Sequence, residues 1–203
     1  MSDARGPDDV IVSYLTLRKV VGALGMALPV VVAVWGLALG SPLLPSISDY
    51  YGLETRDAFV GILFTVAWFM FTYHGPDRKD NIAGNGACLF ALGVALFPDS
   101  GTRLDEAVHY GSAAALFLVL AYFSLCLFTL SGPEPTAAKR RRNRVYRVCG
   151  VAMLVSIALI GVYKLLLAGG PLDRFKPVFW LEAAALWAFG ISWAVKGEAI
   201  LRD

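Results

Sequence analysis

Apolar residues in this chain occur as long unbroken runs, and short polar segments rich in charge, proline and glycine separate the runs. A helix needs about 20 mostly apolar residues, with a range near 17–25, to cross the hydrocarbon core of a bilayer. We therefore predict an all-α, polytopic membrane protein. Its six transmembrane helices are expected at 20–40, 58–73, 82–97, 109–130, 148–168 and 178–195.

Two of these runs, 58–73 and 82–97, are short and reach spanning length only with flanking polar residues such as Arg56, Asp57 and Asp80. Composition supports the membrane interpretation, because 57% of the 203 residues are hydrophobic and only 17% are charged. Soluble domains carry about 25% charged residues. The first run is longer than the apolar region of a signal peptide, about 7–15 residues, so we predict it to be a span.

Small residues four positions apart let membrane helices approach closely. Gly36 and Gly40 have this spacing in the first run, and Ala83, Ala87 and Ala91 repeat it in the third. Both sets predict helix–helix contacts.

Basic residues in short loops set the orientation of a membrane protein. With six spans, the N-terminus, the second and fourth loops and the C-terminus share one side. Thirteen of the 18 Lys and Arg residues fall there: Arg5, Arg18, Lys19, Arg78, Lys79, Lys139, Arg140, Arg141, Arg142, Arg144, Arg147, Lys196 and Arg202. Residues 1–19 and 196–203 are thus predicted to be cytoplasmic segments flanking a transmembrane domain, 20–195, in the cell (inner) membrane.

The basic run at 139–147 is predicted to anchor topology and to touch membrane lipids. Basic clusters beside a span bind acidic headgroups. The residues expected to contact anionic lipid are Lys139, Arg140, Arg141, Arg142 and Arg144. Nucleic-acid binding is not expected, because the sequence has no folded reading domain. A homo-oligomer is compatible with the sequence.

Glu182 lies inside the last apolar run, where a charge costs about 2.5–3.5 kcal/mol at the centre of a span. At about 1.5 Å per residue, it lies roughly 8 Å below Pro177, and Lys164 lies roughly 8 Å below Gly169 on the same side. The two spans are consecutive and joined by a short loop. A Lys164–Glu182 ion pair is therefore predicted, either to hold two helices in register or to form the floor of a pocket.

Other polar residues gather at the same, outer ends of the spans. His109 is the candidate acid or base, since its unperturbed pKa lies near 6.5, and Asp49 and Glu182 would orient it or bind a polar headgroup. The predicted lining of the pocket consists of Ser46, Ser48, Arg56, Asp57, Tyr163, Lys164 and Trp180.

No metal or cofactor is predicted. Glu106 and His109 have the spacing of a carboxylate and a histidine on one helix face, as in di-metal bundles. The other histidine, His74, falls on the opposite side of the predicted membrane. Cys88, Cys126 and Cys149 form no metal-binding spacing and are expected to be small apolar residues.

Two function classes remain open. The first is a protein that binds or modifies a lipid or amphiphile in a pocket in the outer half of the bundle. The alternative is a small transporter or an ion or proton channel that uses Glu182 and Lys164. A structural or interaction subunit without a site of its own would carry the same apolar pattern. Whether the protein is an enzyme is left open by the sequence.

Four segments, 46–51, 56–61, 80–85 and 176–182, carry a resemblance to a family of uncharacterised bacterial six-span integral membrane proteins. The resemblance covers most of the chain and implies a fold but no activity. A more distant resemblance connects Ser46 or Ser48, Asp49 and His109 with the Ser, Asp and His residues of alkaline-ceramidase-like (CREST) membrane hydrolases. Those enzymes have three zinc histidines and seven spans, and the zinc histidines are incomplete in this chain.

Overall fold

The computed structural model describes residues 7–75 and 77–201, with side chains from Tyr14 onward. This part of the chain is all-helical and contains no strand, which confirms the predicted fold class at that level. The six helices are α1 (Pro7–Ala38), α2 (Arg56–Thr72), α3 (Arg78–Leu96), α4 (Arg103–Tyr122), α5 (Ala137–Leu166) and α6 (Pro177–Lys196). A π-helical turn, Phe123–Leu127, continues α4, and 3₁₀ turns occur at Ser48–Gly52 and Pro171–Phe175.

Several helices begin well before the apolar runs that predicted them, because polar caps start them. The Thr102 hydroxyl accepts a hydrogen bond from the Asp105 amide at 3.2 Å, and the Asp105 carboxylate accepts one from the Thr102 amide at 3.0 Å. This reciprocal cap satisfies amides that have no partner within the helix. Thr136 caps α5 in a similar way through the Lys139 amide at 3.1 Å.

Four helical segments are long and apolar enough to cross a membrane. They are Tyr14–Ala38, Arg103–Leu127, Ala137–Leu166 and Pro177–Lys196. α2 has only 17 residues, and α3 begins with Arg78, Lys79 and Asp80. The helices are therefore those expected of an integral membrane protein, with four clear candidate spans among them.

The helices form a ring in chain order. Each helix packs against the next along the chain, and α6 returns to pack against α1. The shared core contains small, fully buried residues such as Ala67, Ala87, Ala91 and Ala183, which let the helices approach closely. Large apolar side chains, for example Leu165 at 84% exposed, cover the outside of the ring.

The backbones of α1 and α6 approach each other closely. A Cβ added at Gly22 would lie 2.7 Å from the Gly190 carbonyl oxygen, and a Cβ added at Gly190 would lie 2.5 Å from that of Gly22. The Gly36–Gly40 contact predicted from sequence is wrong. Gly36 packs against the Tyr50 ring, and Gly40, at φ 83°, follows the end of α1 with no atom near its missing side chain.

Tyr50 folds the segment after α1 back onto the bundle. Its side chain is fully buried, and its hydroxyl accepts a hydrogen bond from the Leu44 amide at 3.2 Å. The Thr55 hydroxyl donates to the Tyr50 carbonyl at 2.9 Å. We call residues 42–48 the outer loop, and its position determines the geometry of the site.

Candidate functional site

Glu182 binds the outer loop directly. The Ser46 hydroxyl lies 3.0 and 2.9 Å from the two carboxylate oxygens, and the Ile47 amide donates to one of them at 2.6 Å. Ser46 and Ile47 are both buried, at 5% and 3% exposed. A carboxylate that accepts these bonds is far better accommodated in an apolar bundle than an isolated charge.

Further hydrogen bonds connect the loop to itself and to α6. The hydroxyls of Ser46 and Ser48 lie 2.7 Å apart, and the Asp49 carboxylate accepts a bond from the Ser46 amide at 2.9 Å. The Phe179 amide, in the first turn of α6, donates to the Pro45 carbonyl at 2.9 Å. The outer loop thus satisfies an amide of the α6 N-terminus, while α6 supplies the acceptor for the loop.

Asp49 lies near a second carboxylate, Asp99, which follows the end of α3. Burial is the main cause that raises the pKa of Asp49 above its ordinary value, and the charge of Asp99 acts in the same direction. The hydrogen bond from Ser46 and the charge of Lys164 oppose that rise. Two carboxyl groups so close together favour the retention of a proton by one of them.

Lys164 binds Tyr110 instead of the predicted partner. Its ammonium lies 3.2 Å from the Tyr110 hydroxyl and 4.2 Å from the centre of the ring. Between residues 77 and 201, no ion pair joins Lys164 to Glu182, although the two charges lie within electrostatic range. The physical reason is that each group has a nearer partner, Tyr110 in one case and the outer loop in the other.

His109 is buried in the first half of α4, at 2% exposed. Its Nδ1 lies 2.7 Å from the Phe97 carbonyl oxygen, which can only accept, so Nδ1 carries a proton. In the neutral tautomer with this proton, Nε2 is the acceptor nitrogen. The bond also joins the start of α4 to the end of α3.

Glu182 lies where two cavities meet. The first, which we call the deep cavity, measures about 60 Å³ and is lined mainly by apolar side chains together with Ser48, His109 and Glu182. The second, the lateral groove, measures about 230 Å³ and runs between α4 and α5. Its lining is mostly apolar. Besides residues of α4 and α5, the lining includes Glu182 of α6. Ala113 and Phe117 line both spaces.

A third space, the outer cavity, lies above the lateral groove and measures about 540 Å³. Lys164 lines both. The outer cavity is more polar, and its lining includes Ser46, Asp49, Tyr163, Lys164, Asp173 and Lys176. The three spaces together form a series that is polar at the outer end and apolar at the inner end.

The residues predicted from sequence therefore separate into two groups. Those that line the series of cavities are Ser46, Ser48, Asp49, His109, Tyr163, Lys164 and Glu182. Arg56, Asp57 and Trp180 line none of these three cavities. Arg56 donates to the Tyr51 hydroxyl at 3.0 Å, Asp57 is exposed in the first turn of α2, and Trp180 is 51% exposed beside Phe179.

Tyr110 is one of the site residues that were not predicted from the sequence. It follows His109 and holds Lys164, while its hydroxyl also lies 3.4 Å from the Asp99 carbonyl. An aromatic residue near the end of a span usually suggests an interfacial anchor, so its type alone did not mark it. Asp173, which Tyr163 hydrogen-bonds, was also absent from the predicted set.

Within the described ranges, no three His, Cys, Asp or Glu side chains are grouped as they would be to hold a metal ion. No protein-family model matches the chain, and no curated protein or solved structure matches it either. The resemblance to bacterial six-span proteins and to ceramidase-like hydrolases therefore stays a prediction.

Proposed function

We propose that this protein binds a lipid or another amphiphile in the outer half of a six-helix transmembrane bundle. The observation that carries the proposal is the position of Glu182, which lines both the deep cavity and the lateral groove. An amphiphile needs an apolar channel for its tail next to polar groups for its head. The lateral groove is mostly apolar and the outer cavity is more polar, and Lys164 lines both.

The membrane placement proposed here has all six helices crossing the cell membrane, with both termini in the cytoplasm. The distribution of Lys and Arg supports this orientation. α2 and α3, at 17 and 19 residues, span about 26 and 28 Å, close to the 30 Å of the hydrocarbon core. Under this orientation the outer cavity opens at the outer leaflet.

The lateral groove supports entry of a tail from the bilayer, because it lies between two helices whose outer surfaces are apolar. Tyr110, Phe117, Ile157 and Ile160 line it, and Gly161 leaves its wall open. A pocket for a small ligand measures roughly 300–1,000 Å³. The lateral groove and the outer cavity, at about 230 and 540 Å³, together fall within that range.

Of the three residues proposed for catalysis, His109 and Glu182 share the deep cavity, whereas Asp49 lines the outer cavity. A ligand group that reaches the deep cavity would meet His109. His109 is accordingly the residue that we propose to exchange a proton if the bound amphiphile is also modified. Asp49 then belongs with Lys164 among the groups that face a polar head.

Native mass spectrometry of the protein, released from mild detergent, tests the proposal. The decisive variant is Gly161→Leu, which places a side chain in the lateral groove, and the control is Gly111→Leu. An added Cβ at either glycine meets no atom within 4 Å, but Gly111 does not line the groove. We expect one fewer retained lipid in Gly161→Leu than in the wild type and in Gly111→Leu.

Equal lipid retention in the two leucine variants would contradict a binding site in the groove. A second measurement, proton or ion flux into liposomes, addresses the alternative of a small transporter or channel. Flux that Glu182→Gln abolishes, in a protein that retains no lipid in the lateral groove, would favour that alternative and overturn the proposal.

A further inference from the structure

A second groove lies at the other end of the bundle, where the loop after α4 meets the start of α5. It measures about 630 Å³, and three arginines on α5, Arg140, Arg144 and Arg147, line it. Their spacing of four and three residues places them on one helix face. We call this space the arginine groove.

The walls of the arginine groove are held in place by hydrogen bonds. The Asn143 amide nitrogen donates to the Thr129 carbonyl at 3.1 Å and to the Ser131 hydroxyl at 3.0 Å. Lys139 donates to the Phe128 carbonyl at 2.8 Å. The loop is therefore attached to α5 independently of any ligand, and the groove is preformed.

No acidic side chain in the described part of the chain neutralises the three arginines of the groove. Among residues 14–75 and 77–201, no carboxylate lies within 4.0 Å of Arg140, Arg144 or Arg147. Glu134, in the adjoining loop, forms no ion pair with them. Arg140 also donates to the Pro135 carbonyl, which still leaves most of its donors available.

The groove lies at the depth of the lipid headgroups. α5 has 30 residues and is about 45 Å long, whereas the hydrocarbon core is about 30 Å thick. The apolar part of α5 begins at Val148, so the three arginines project beyond the core on the proposed cytoplasmic side. Val148, Val151 and Val155, each at least half exposed, continue the same helix face into the bilayer.

We propose that the arginine groove binds the phosphate of an anionic phospholipid from the cytoplasmic leaflet, whose acyl chains run along Val148, Val151 and Val155. Arginine suits this role because its planar fork binds phosphate oxygens in pairs. The sequence predicted contact with anionic lipid along the whole basic segment, whereas the proposal assigns it to the three arginines that line the groove. Lys139 is committed to the Phe128 carbonyl and Arg142 lies 4.0 Å from Glu198, whereas Arg147 joins the groove.

The test is a titration of the purified protein with phosphatidylglycerol and with phosphatidylcholine, followed by native mass spectrometry. Arg144→Gln and Arg147→Gln are the decisive variants, and Arg141→Gln is the matched control. Arg141 is exposed on the same turns of α5 but does not line the groove. Each variant loses one positive charge, so nonspecific attraction to an anionic lipid falls equally in all three.

We expect the wild type to prefer phosphatidylglycerol, and Arg144→Gln and Arg147→Gln each to weaken its binding about fivefold. Arg141→Gln should weaken binding much less than either groove variant, because it loses only the nonspecific attraction of one charge. Equal weakening in the control and in both groove variants would overturn the proposal, because it would show attraction to the whole basic segment.

Competition with inorganic phosphate, at an ionic strength matched with chloride, separates a lipid from a soluble anion. Displacement of the lipid by phosphate but not by chloride would overturn the assignment to a phospholipid. The inference rests on the proposed membrane placement but not on the outer pocket. Gly161→Leu, which closes the lateral groove, should leave phosphatidylglycerol binding at the arginine groove unchanged.

Discussion

Replacement of Glu182 by alanine should release the outer loop from α6. Four amides in this loop are satisfied by side chains and not by a helix or a strand. Leu44 donates to the Tyr50 hydroxyl, Ser46 to Asp49, Ile47 to Glu182 and Ser48 to the Ser46 hydroxyl. The Ile47 bond disappears outright in Glu182→Ala, and the Ser46 hydroxyl loses its carboxylate acceptor.

The size of the effect follows from two donors, the Ile47 amide and the Ser46 hydroxyl, that lose their acceptor. A hydrogen bond to a charged group contributes about 1.5–3 kcal/mol, and a buried donor left without a partner costs about 1–3 kcal/mol. Removal of a carboxylate from an apolar bundle offsets part of this loss. A net local cost of about 2 kcal/mol corresponds to a roughly 30-fold larger equilibrium constant for opening of the loop.

Hydrogen–deuterium exchange measured on peptides that cover 42–48 reads this opening directly. We expect exchange of the Ile47 and Ser48 amides to accelerate about 30-fold in Glu182→Ala. Glu106→Ala is the control, since it removes an outer carboxylate that does not contact the loop. Amides within α2 and α3 should exchange at the wild-type rate in both variants. Unchanged exchange over 42–48 in Glu182→Ala would refute the idea that Glu182 anchors the loop.

Two further predictions concern helix packing and pH. Gly22→Ala forces a methyl group against the Gly190 carbonyl and should lower the free energy of unfolding by about 1–3 kcal/mol, whereas Gly61→Ala, in open space, should raise it by up to about 1 kcal/mol. Unfolding in mixed micelles checks both, and equal effects would contradict the packing argument. The raised pKa of Asp49 means that the folded state holds this proton more tightly than the unfolded state, so stability falls as pH rises from the ordinary value of 3.8 through the raised value. The thermal midpoint of Asp49→Asn, relative to that of the wild type, should therefore increase from pH 4 to 8. A difference that stays constant over this range would count against the buried carboxyl pair.

Helix existence was predictable from the sequence, but helix starts were not. Apolar runs mark the part of a helix that avoids water, so they predicted starts at 109 and 148. The helices begin at Arg103 and Ala137, where Thr102 and Thr136 cap them. A cap has no apolar signature, and in α5 it lies three turns before the first long apolar stretch.

In the site, the depth of each charged residue was predictable from the sequence, but its side-chain contacts were not. Sequence arithmetic placed Lys164 and Glu182 at one depth, and both do line the lateral groove. Depth along a helix does not determine which way a side chain faces around it. Tyr110 faces Lys164, and the outer loop reaches Glu182, so the expected ion pair is absent between them. Contacts from a loop with no periodic pattern cannot be derived from spacing.

The ring of helices has a consequence for the order in which the protein is made. Five of the six neighbouring pairs form between helices that follow one another during synthesis, whereas α1 meets its second neighbour, α6, only when the chain is nearly complete. At about 5–20 residues per second, Gly190 leaves the ribosome roughly 10–30 s after Gly22. During that interval the Ile47 amide and the Ser46 hydroxyl have no Glu182 to receive them. Until α6 has been made, the nascent chain therefore leaves one face of α1 without its helix partner.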